Sequence, residues 1–262
     1  MRLAVLAFYN ETRKGLLLIW DYRFSMLTQV LMFGGVFLAI TYMIGNGHFV
    51  AERMATILVG YMVWSFASLA LNDMSWNLME ETRTGTLEQM YMTPAPTGLI
   101  VLGRAFSRLL FAGTMVLLLS VFIIAGFGLD LPLRWPALPV LVLTVAGVYG
   151  FGFIVAGATL VFKQVGTLAF IIQNSLLFLN GSFFPVDRFP PGLTTFAKTL
   201  PTTQGIIVLR RVLVDRLALA EVWSDGTLTL LVAHSAVFLV GGWTIFKWCE
   251  SIARRQGSLG QY

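Results

Sequence analysis

The chain has 262 residues, of which 57% are hydrophobic and 12% charged, with a net charge of +5. Its mean hydropathy is +0.78 and its isoelectric point is near 9.6. About half the charge of an ordinary soluble domain leaves too little polar surface to coat a water-soluble globule, and so much apolar mass with one cysteine excludes a disordered chain, a collagen-like fibre and a disulfide scaffold. The composition is that of an all-α polytopic membrane protein, in which six spans of about 22 residues would occupy half the chain.

Residues 1–23 read as an amphipathic helix lying in the cytoplasmic interface. The apolar stretch 3–9 is too short for a signal-peptide core and runs into Asn10-Glu11-Thr12-Arg13-Lys14 without a cleavage site. Trp20 and Tyr22 suit headgroup level, with Arg13, Lys14 and Arg23 facing lipid phosphates. Residues 24–262 then form the six-helix transmembrane domain. The first span is expected over 24–44, ended by Gly45-Asn46-Gly47-His48. The second covers 54–71, with continuation to Trp76. The third follows Pro94-Ala95-Pro96, is interfacial through Arg104 and Arg108, and crosses to 127. The fourth covers 137–162, the fifth 166–184 and the sixth 227–248, with a cytoplasmic tail at 249–262.

The long segment 185–226 is punctuated by Phe189-Pro190-Pro191-Gly192 and by Leu200-Pro201. Its apolar pieces, 193–200 and 205–213, are too short to span and read as re-entrant or interfacial helices on the outer face. Small residues recur at packing distance, Ala146 with Gly150 and Gly152 with Ala156. Gln173, Asn174, Asn180 and Ser182 place polar groups in the fifth span, where they must pair between helices or line a polar path.

Lysine and arginine set the orientation. One side collects Arg2, Arg13, Lys14, Arg23, Arg83, Arg104, Arg108, Lys163, Lys247, Arg254 and Arg255. The other collects Arg53, Arg134 and five residues within the long segment, which weighs little. Both termini are therefore expected in the cytoplasm, and the positive charge belongs to membrane orientation, with no nucleic-acid partner.

Marks of a built-in energy source are missing. The lysines follow Arg13, Phe162, Ala197 and Phe246, so no glycine precedes a lysine as a phosphate-binding loop requires. His48 and His234 sit in no zinc pattern, and no nucleophile elbow occurs. The chain is expected to bind no metal or cofactor of its own. Ionisable groups within the spans are limited to Asp73 and His234, too few for an ion-coupled carrier, and no repeat relates the two halves. A membrane-embedded enzyme would need a polar catalytic cluster, and the acids near residue 80 are explained by helix capping.

The informative stretch is Glu80-Glu81-Thr82-Arg83-Thr84-Gly85-Thr86-Leu87-Glu88-Gln89-Met90-Tyr91-Met92-Thr93-Pro94, between the second and third spans. Thr86 and Gln89 form a capping box, Glu88 suits a helix N-terminus, and Pro94 ends the helix. Leu87, Met90 and Tyr91 share one face. A short amphipathic helix displayed on the cytoplasmic side, about 84–94, calls for a pocket on another protein.

This loop resembles the signature loop of the type-2 ABC export permeases, which serve as membrane subunits of drug, antibiotic, nodulation-factor and polysaccharide exporters. The N-terminal elbow, the six spans, Gly181-Ser182-Phe183-Phe184-Pro185-Val186, Leu200-Pro201 leading to Arg210, and Ala253-Arg254-Arg255-Gln256-Gly257 follow the family's order. The resemblance implies a permease of the prokaryotic cytoplasmic membrane that pairs with a second copy, each copy docking one cytoplasmic ATPase subunit that carries Mg-ATP. Glu81, Arg83, Gly85, Thr86, Leu87, Glu88, Gln89, Met90 and Pro94 would be the coupling element. The route for an amphipathic, drug-like molecule would run between the copies, with Phe33, Phe37, Tyr61, Trp64, Gln173 and Asn174 as candidate lining residues. Polysaccharide or glycolipid export is the alternative; it is disfavoured because no distinctive basic stretch leads into the first span.

Overall fold

The structure, a computed structural model, describes residues 2–83, 92, 97–131, 134–162 and 166–256, and no strand occurs among them. In chain order the helices are α1 (Arg2–Asp21), α2 (Arg23–Ile44), α3 (Ala51–Arg83), α4 (Thr97–Phe127), α5 (Ala137–Val161) and α6 (Gly166–Leu179). A single 3-10 turn, Val186–Arg188, leads to α7 (Pro191–Lys198), α8 (Thr203–Leu213), α9 (Leu219–Ser224) and α10 (Thr227–Gln256). The interface helix expected before residue 24 is α1, which lies along α4: Gly15 faces Ser107 with no room for a side chain between them.

Among the described residues five helices are long and apolar enough to cross a bilayer: Arg23–Ile44, Ala51–Asn72, Gly98–Phe127, Ala137–Val161 and Thr227–Arg255. These are the first four expected spans and the sixth, so the protein is an integral membrane protein. The fifth expected span differs. Its helix, α6, has 14 residues and stops at Leu179, giving a rod of about 21 Å against a hydrocarbon core of about 30 Å. The reason is local. Gly181 takes a left-handed φ of +85°, and Asn180 folds its side chain back so that Oδ1 accepts from the Ser182 N–H at 2.9 Å, an Asx turn that competes with the next helical bond. The outer segment holds the two expected helical pieces as α7 and α8, and α9 in addition.

The core is arranged around α3. The apolar window of α3 is 89% buried, against 28% for α2 and 17% for α10. Helices α2, α4, α5, α6 and α8 all pack on it, which accounts for the unbroken run of buried side chains from Ile57 to Tyr61 and from Val63 to Leu71. Five hydroxyls on the spans are satisfied within their own helix: Thr41, Ser65, Ser120, Thr144 and Thr159 each donate to the carbonyl four residues earlier. These groups sit in hydrocarbon with their protons paired.

Helices α5 and α10 meet backbone to backbone. Gly147 faces Ser235, Gly150 faces the Phe238–Leu239 peptide, and Gly157 faces Phe246 and Cys249. Of the small residues noted in the sequence, Gly150 serves this crossing, whereas Gly152 faces Met74 of α3. From the other side, a β-carbon on Gly242 would collide with the Gly150 carbonyl oxygen, while its neighbour Gly241 has nothing within 4 Å. Gly242→Ala is therefore expected to destabilise the protein by about 1–3 kcal/mol through overpacking, and Gly241→Ala to have no such effect. Equal thermal midpoints for the two variants in detergent would show that the crossing is looser than described.

Candidate functional site

Three regions bear on function, and the first is an aromatic cluster in the membrane. Phe33 and Phe37 lie one turn apart on α2, and Tyr61 and Trp64 three apart on α3, so both pairs face each other across the helix contact. Ring centroids are 5.6 Å apart for Phe33–Trp64, 5.4 Å for Phe37–Tyr61 and 5.1 Å for Tyr61–Trp64. The polar tips are paired: Tyr61 Oη donates to the Phe33 carbonyl at 2.8 Å and Trp64 Nε1 to the Gln173 carbonyl of α6 at 2.9 Å. Five of the six residues expected along a route, Phe33, Phe37, Tyr61, Trp64 and Gln173, thus meet in one place, buried within the protomer. Gln173 Oε1 and Ser68 Oγ are buried without a hydrogen-bond partner. Asn174 lies apart from them: its Nδ2 donates back to Phe170 O at 2.8 Å, on the side of α6 that also exposes Phe170, Ile171 and Phe178.

The second region is the elbow after α6, where three elements are tied by one arginine. Breaking the helix at Asn180 leaves backbone carbonyls without helical donors, and such groups need partners in a bilayer. Ser182 is fully buried and packs against Gly60 of α3, where a side chain would strike the Ser182 backbone. Ser182 Oγ lies 3.0 Å from Gly60 O and 2.6 Å from Asn180 Oδ1, sharing its one proton between them. Arg210, on α8, closes the arrangement: Nη2 donates to Ser182 O at 2.6 Å and Nε to Thr56 O at 3.1 Å. Burial pushes its guanidinium down to about 10, opposed by Asp215, so it stays charged at neutral pH. One side chain therefore joins α3, the elbow and α8.

The sequence reading treated Asn180 and Ser182 as amide and hydroxyl in search of partners, and gave Arg210 only a place in the chain order. The adjacent pair Arg210-Arg211 within an apolar helix is the missed signal, since on α8 only one of the two can face inward. Arg211 faces out and pairs with Asp225 and with Thr227 Oγ1 at 2.8 Å. Asp225 in turn accepts from the Thr227 N–H at 2.9 Å at the start of α10, and its carboxyl is held below the usual range first by the Thr227 bonds, with Arg211 adding to them. Among the described residues no group of three His, Cys, Asp or Glu side chains could hold a metal.

The third region is the end of α3 that runs into segment 84–96. Residues Gly85, Thr86, Leu87, Glu88, Gln89, Met90 and Pro94 of the expected coupling helix lie outside the described residues, and of Glu81 and Arg83 only the helical backbone is described. What flanks them is informative. Helix α3 continues to Arg83, 11 residues past the end of its apolar window at Asn72, about 16 Å of further rise. Helix α4 has 31 residues, about 46 Å, which exceeds the hydrocarbon thickness by a similar amount. The segment 84–96 is thus carried at the tips of two helical stalks.

Comparison with known families gives one decisive match. The profile of the ABC-2 type transporter family covers residues 7–214, from α1 through α8. The chain belongs to the ABC-2 type transporter family. Members of this family are transmembrane components of ABC transporters that work with an ATPase subunit and carry no ATP-binding domain within the permease domain. The match includes the α1 elbow, the stalks, the aromatic cluster and the Arg210 tie, and ends just before the α9–α10 connection. No match is found among curated proteins.

Two outcomes follow from these contacts. Arg210→Met would leave the Ser182 and Thr56 carbonyls without their donors in a buried setting, at about 1–3 kcal/mol each. A drop in thermal midpoint is expected, with Arg210→Lys in between because an ammonium lacks the guanidinium fork; an unchanged midpoint for Arg210→Met would show the tie to be dispensable. For Asp225 the folded-state pKa is depressed, so its contribution is fully present above the unfolded value of about 3.9 and is lost as pH falls from there through the lower folded-state value. The stability gap between wild type and Asp225→Asn should hold from neutral pH to about 5 and close below about 4. A gap independent of pH would mean that the carboxylate's charge has no part in it.

Proposed function

We propose that this chain is the permease subunit of an ATP-driven exporter in the prokaryotic cytoplasmic membrane, with both termini inside. Two copies pair, and each docks one ATPase subunit through the segment at the stalk tips, where Leu87 and Met90 fill an apolar cleft flanked by Glu81, Arg83 and Glu88. Mg-ATP binds on the partner subunits. What supports this reading most is the family match together with the length of α3 and α4 on either side of segment 84–96, whose sequence carries the Thr86–Gln89 capping pattern and the apolar positions Leu87, Met90 and Tyr91.

Movement of the loops biases the membrane dimer between inward and outward forms. The route lies between the copies, beside the Phe33, Phe37, Tyr61, Trp64 and Gln173 cluster, with Asn174 on the exposed side of α6. An amide on that side suits a polar path better than lipid. Helices α7 and α8 act as re-entrant helices that close the outer end, held to α3 by Arg210. The cargo is a small amphipathic molecule, since no distinctive basic stretch of the kind expected of a polysaccharide exporter leads into the first span.

The reading is tested by co-purification with the ATPase encoded beside the gene. A complex of two permease and two ATPase subunits is expected, and Leu87→Asp should cost about 2 kcal/mol of assembly, roughly 30-fold weaker binding, as for a buried hot-spot residue. Purification of the chain alone, with transport into liposomes driven by a proton gradient, would overturn the ATPase reading and turn attention to Asp73 and His234.

A further inference from the structure

The proposed route uses α2, α3 and α6 and leaves α10 without a part, although its inner end is built around a buried charge. Glu250 is 4% exposed. Lys247 Nζ lies 2.8 Å from its Oε2 and Arg254 Nη2 lies 2.7 Å from its Oε1. Both cations are on the same helix, at the i−3 and i+4 positions, so the carboxylate fixes the direction of two long, flexible side chains.

The orientation this gives Lys247 is specific. Its ammonium rests 5.3 Å from the Trp243 ring centroid and 3.4 Å from where a β-carbon of Gly98 would stand, with the Trp243 ring at 3.7 Å from the same point. Gly98 is the second residue of α4, directly after the segment 84–96. The same part of α10 anchors a separate apolar cluster. Trp243 packs edge-on to Phe153 at 5.1 Å and stacks on Phe246 at 5.8 Å, and Phe246 and Ala253 join Ile100 of α4, with Met74 of α3 packed alongside. The start of α4, through Ile100, and α3, through the partly buried Met74, thus touch the cluster that α5 and α10 build here, away from the large core around α3.

We infer that the inner end of α10, organised by Glu250, receives the movement of the 84–96 segment and carries it along α10. This rests on the ATPase coupling proposed above. Glu250 is a positioning residue: it holds Lys247 and Trp243 against the base of α4. Without it two like charges stand two turns apart on one face with no anion between them, and the contact with Gly98 loses its anchor.

The test uses the complete permease–ATPase complex in lipid nanodiscs, with Cys249 replaced by Ala and an environment-sensitive fluorophore on a cysteine at exposed Val240, further along α10. Trapping the ATPase with ATP and vanadate should shift the emission of the wild-type complex. In Glu250→Gln the shift should fall about 5-fold, within the range that single positions contribute to coupling, while ATP turnover and complex recovery stay within about 2-fold. Lys247→Met keeps the Glu250–Arg254 pair and is the second variant, expected to reduce the shift in the same direction if Glu250→Gln does not fold. A wild-type complex that turns over ATP without any shift at residue 240 overturns the inference, as does an undiminished shift in either folded variant. A wild type that neither assembles with the ATPase nor hydrolyses ATP fails earlier, and overturns the coupling reading along with the inference.

Discussion

A backbone carbonyl in hydrocarbon has no water to turn to, and the outer half of this protein is organised by that constraint. The fifth apolar segment breaks at Asn180 and so creates carbonyls without helical donors at membrane depth. The response is a set of short-range donors brought from elsewhere: Ser182 Oγ to Gly60 O, and the Arg210 guanidinium to Ser182 O and Thr56 O. Arginine suits the position because its planar fork supplies several donors from one residue and stays charged when partly desolvated. Its pKa, lowered to about 10, still leaves it cationic at neutral pH. The consequence is mechanical, since α8 cannot move relative to α3 without breaking the bond to Thr56 O, nor relative to the elbow without breaking the bond to Ser182 O.

The rest of the fold follows from how closely helices approach when side chains are removed from their contact. Van der Waals packing dominates helix association in a bilayer, and the α5–α10 crossing at Gly150 and Gly242 brings backbone onto backbone. That crossing explains how α10 can be only 17% buried along its apolar window and yet be firmly placed: one glycine-lined contact line fixes it, leaving most of its surface for lipid or for a second copy. At the inner end the same pair of helices opens enough to admit Phe153, Trp243 and Phe246, which is where the smaller cluster forms.

Much of this was legible from composition and periodicity. Apolar run length located the spans whose helices have 22 residues or more, because a helix must exceed the hydrocarbon thickness whatever its neighbours do. The fifth run misled by length alone: residues 166–184 are apolar to the end, but Asn180 and Gly181 end the helix through side-chain and backbone geometry that hydropathy does not register. The aromatic residues on α2 and α3 were named together as candidates for one route, and Gln173 joins them through a backbone carbonyl, which no side-chain pattern could announce. Arg210 escaped because an arginine in a membrane protein is read first as a marker of sidedness, and Glu250 because an acid near a helix end carries no such signal; only the partners of each show that it has been drawn into the packing.

Those two buried charges stand at opposite ends of the molecule and solve different problems. Arg210 satisfies carbonyls left by a broken helix, a task that any change of geometry would undo. Glu250 has no backbone group to satisfy; its partners are Lys247 and Arg254 of its own helix, whose cationic heads are half exposed. Replacing a buried ion pair with apolar residues is often neutral for stability, so folding alone gives little reason for a triad of charges at the inner end of α10. A charged contact that leans on Gly98 of the next stalk can instead be made and released at small cost as the helices shift. A rigid tie at the Arg210 end and an adjustable one at the Glu250 end let the two ends of the bundle answer differently when the helices shift.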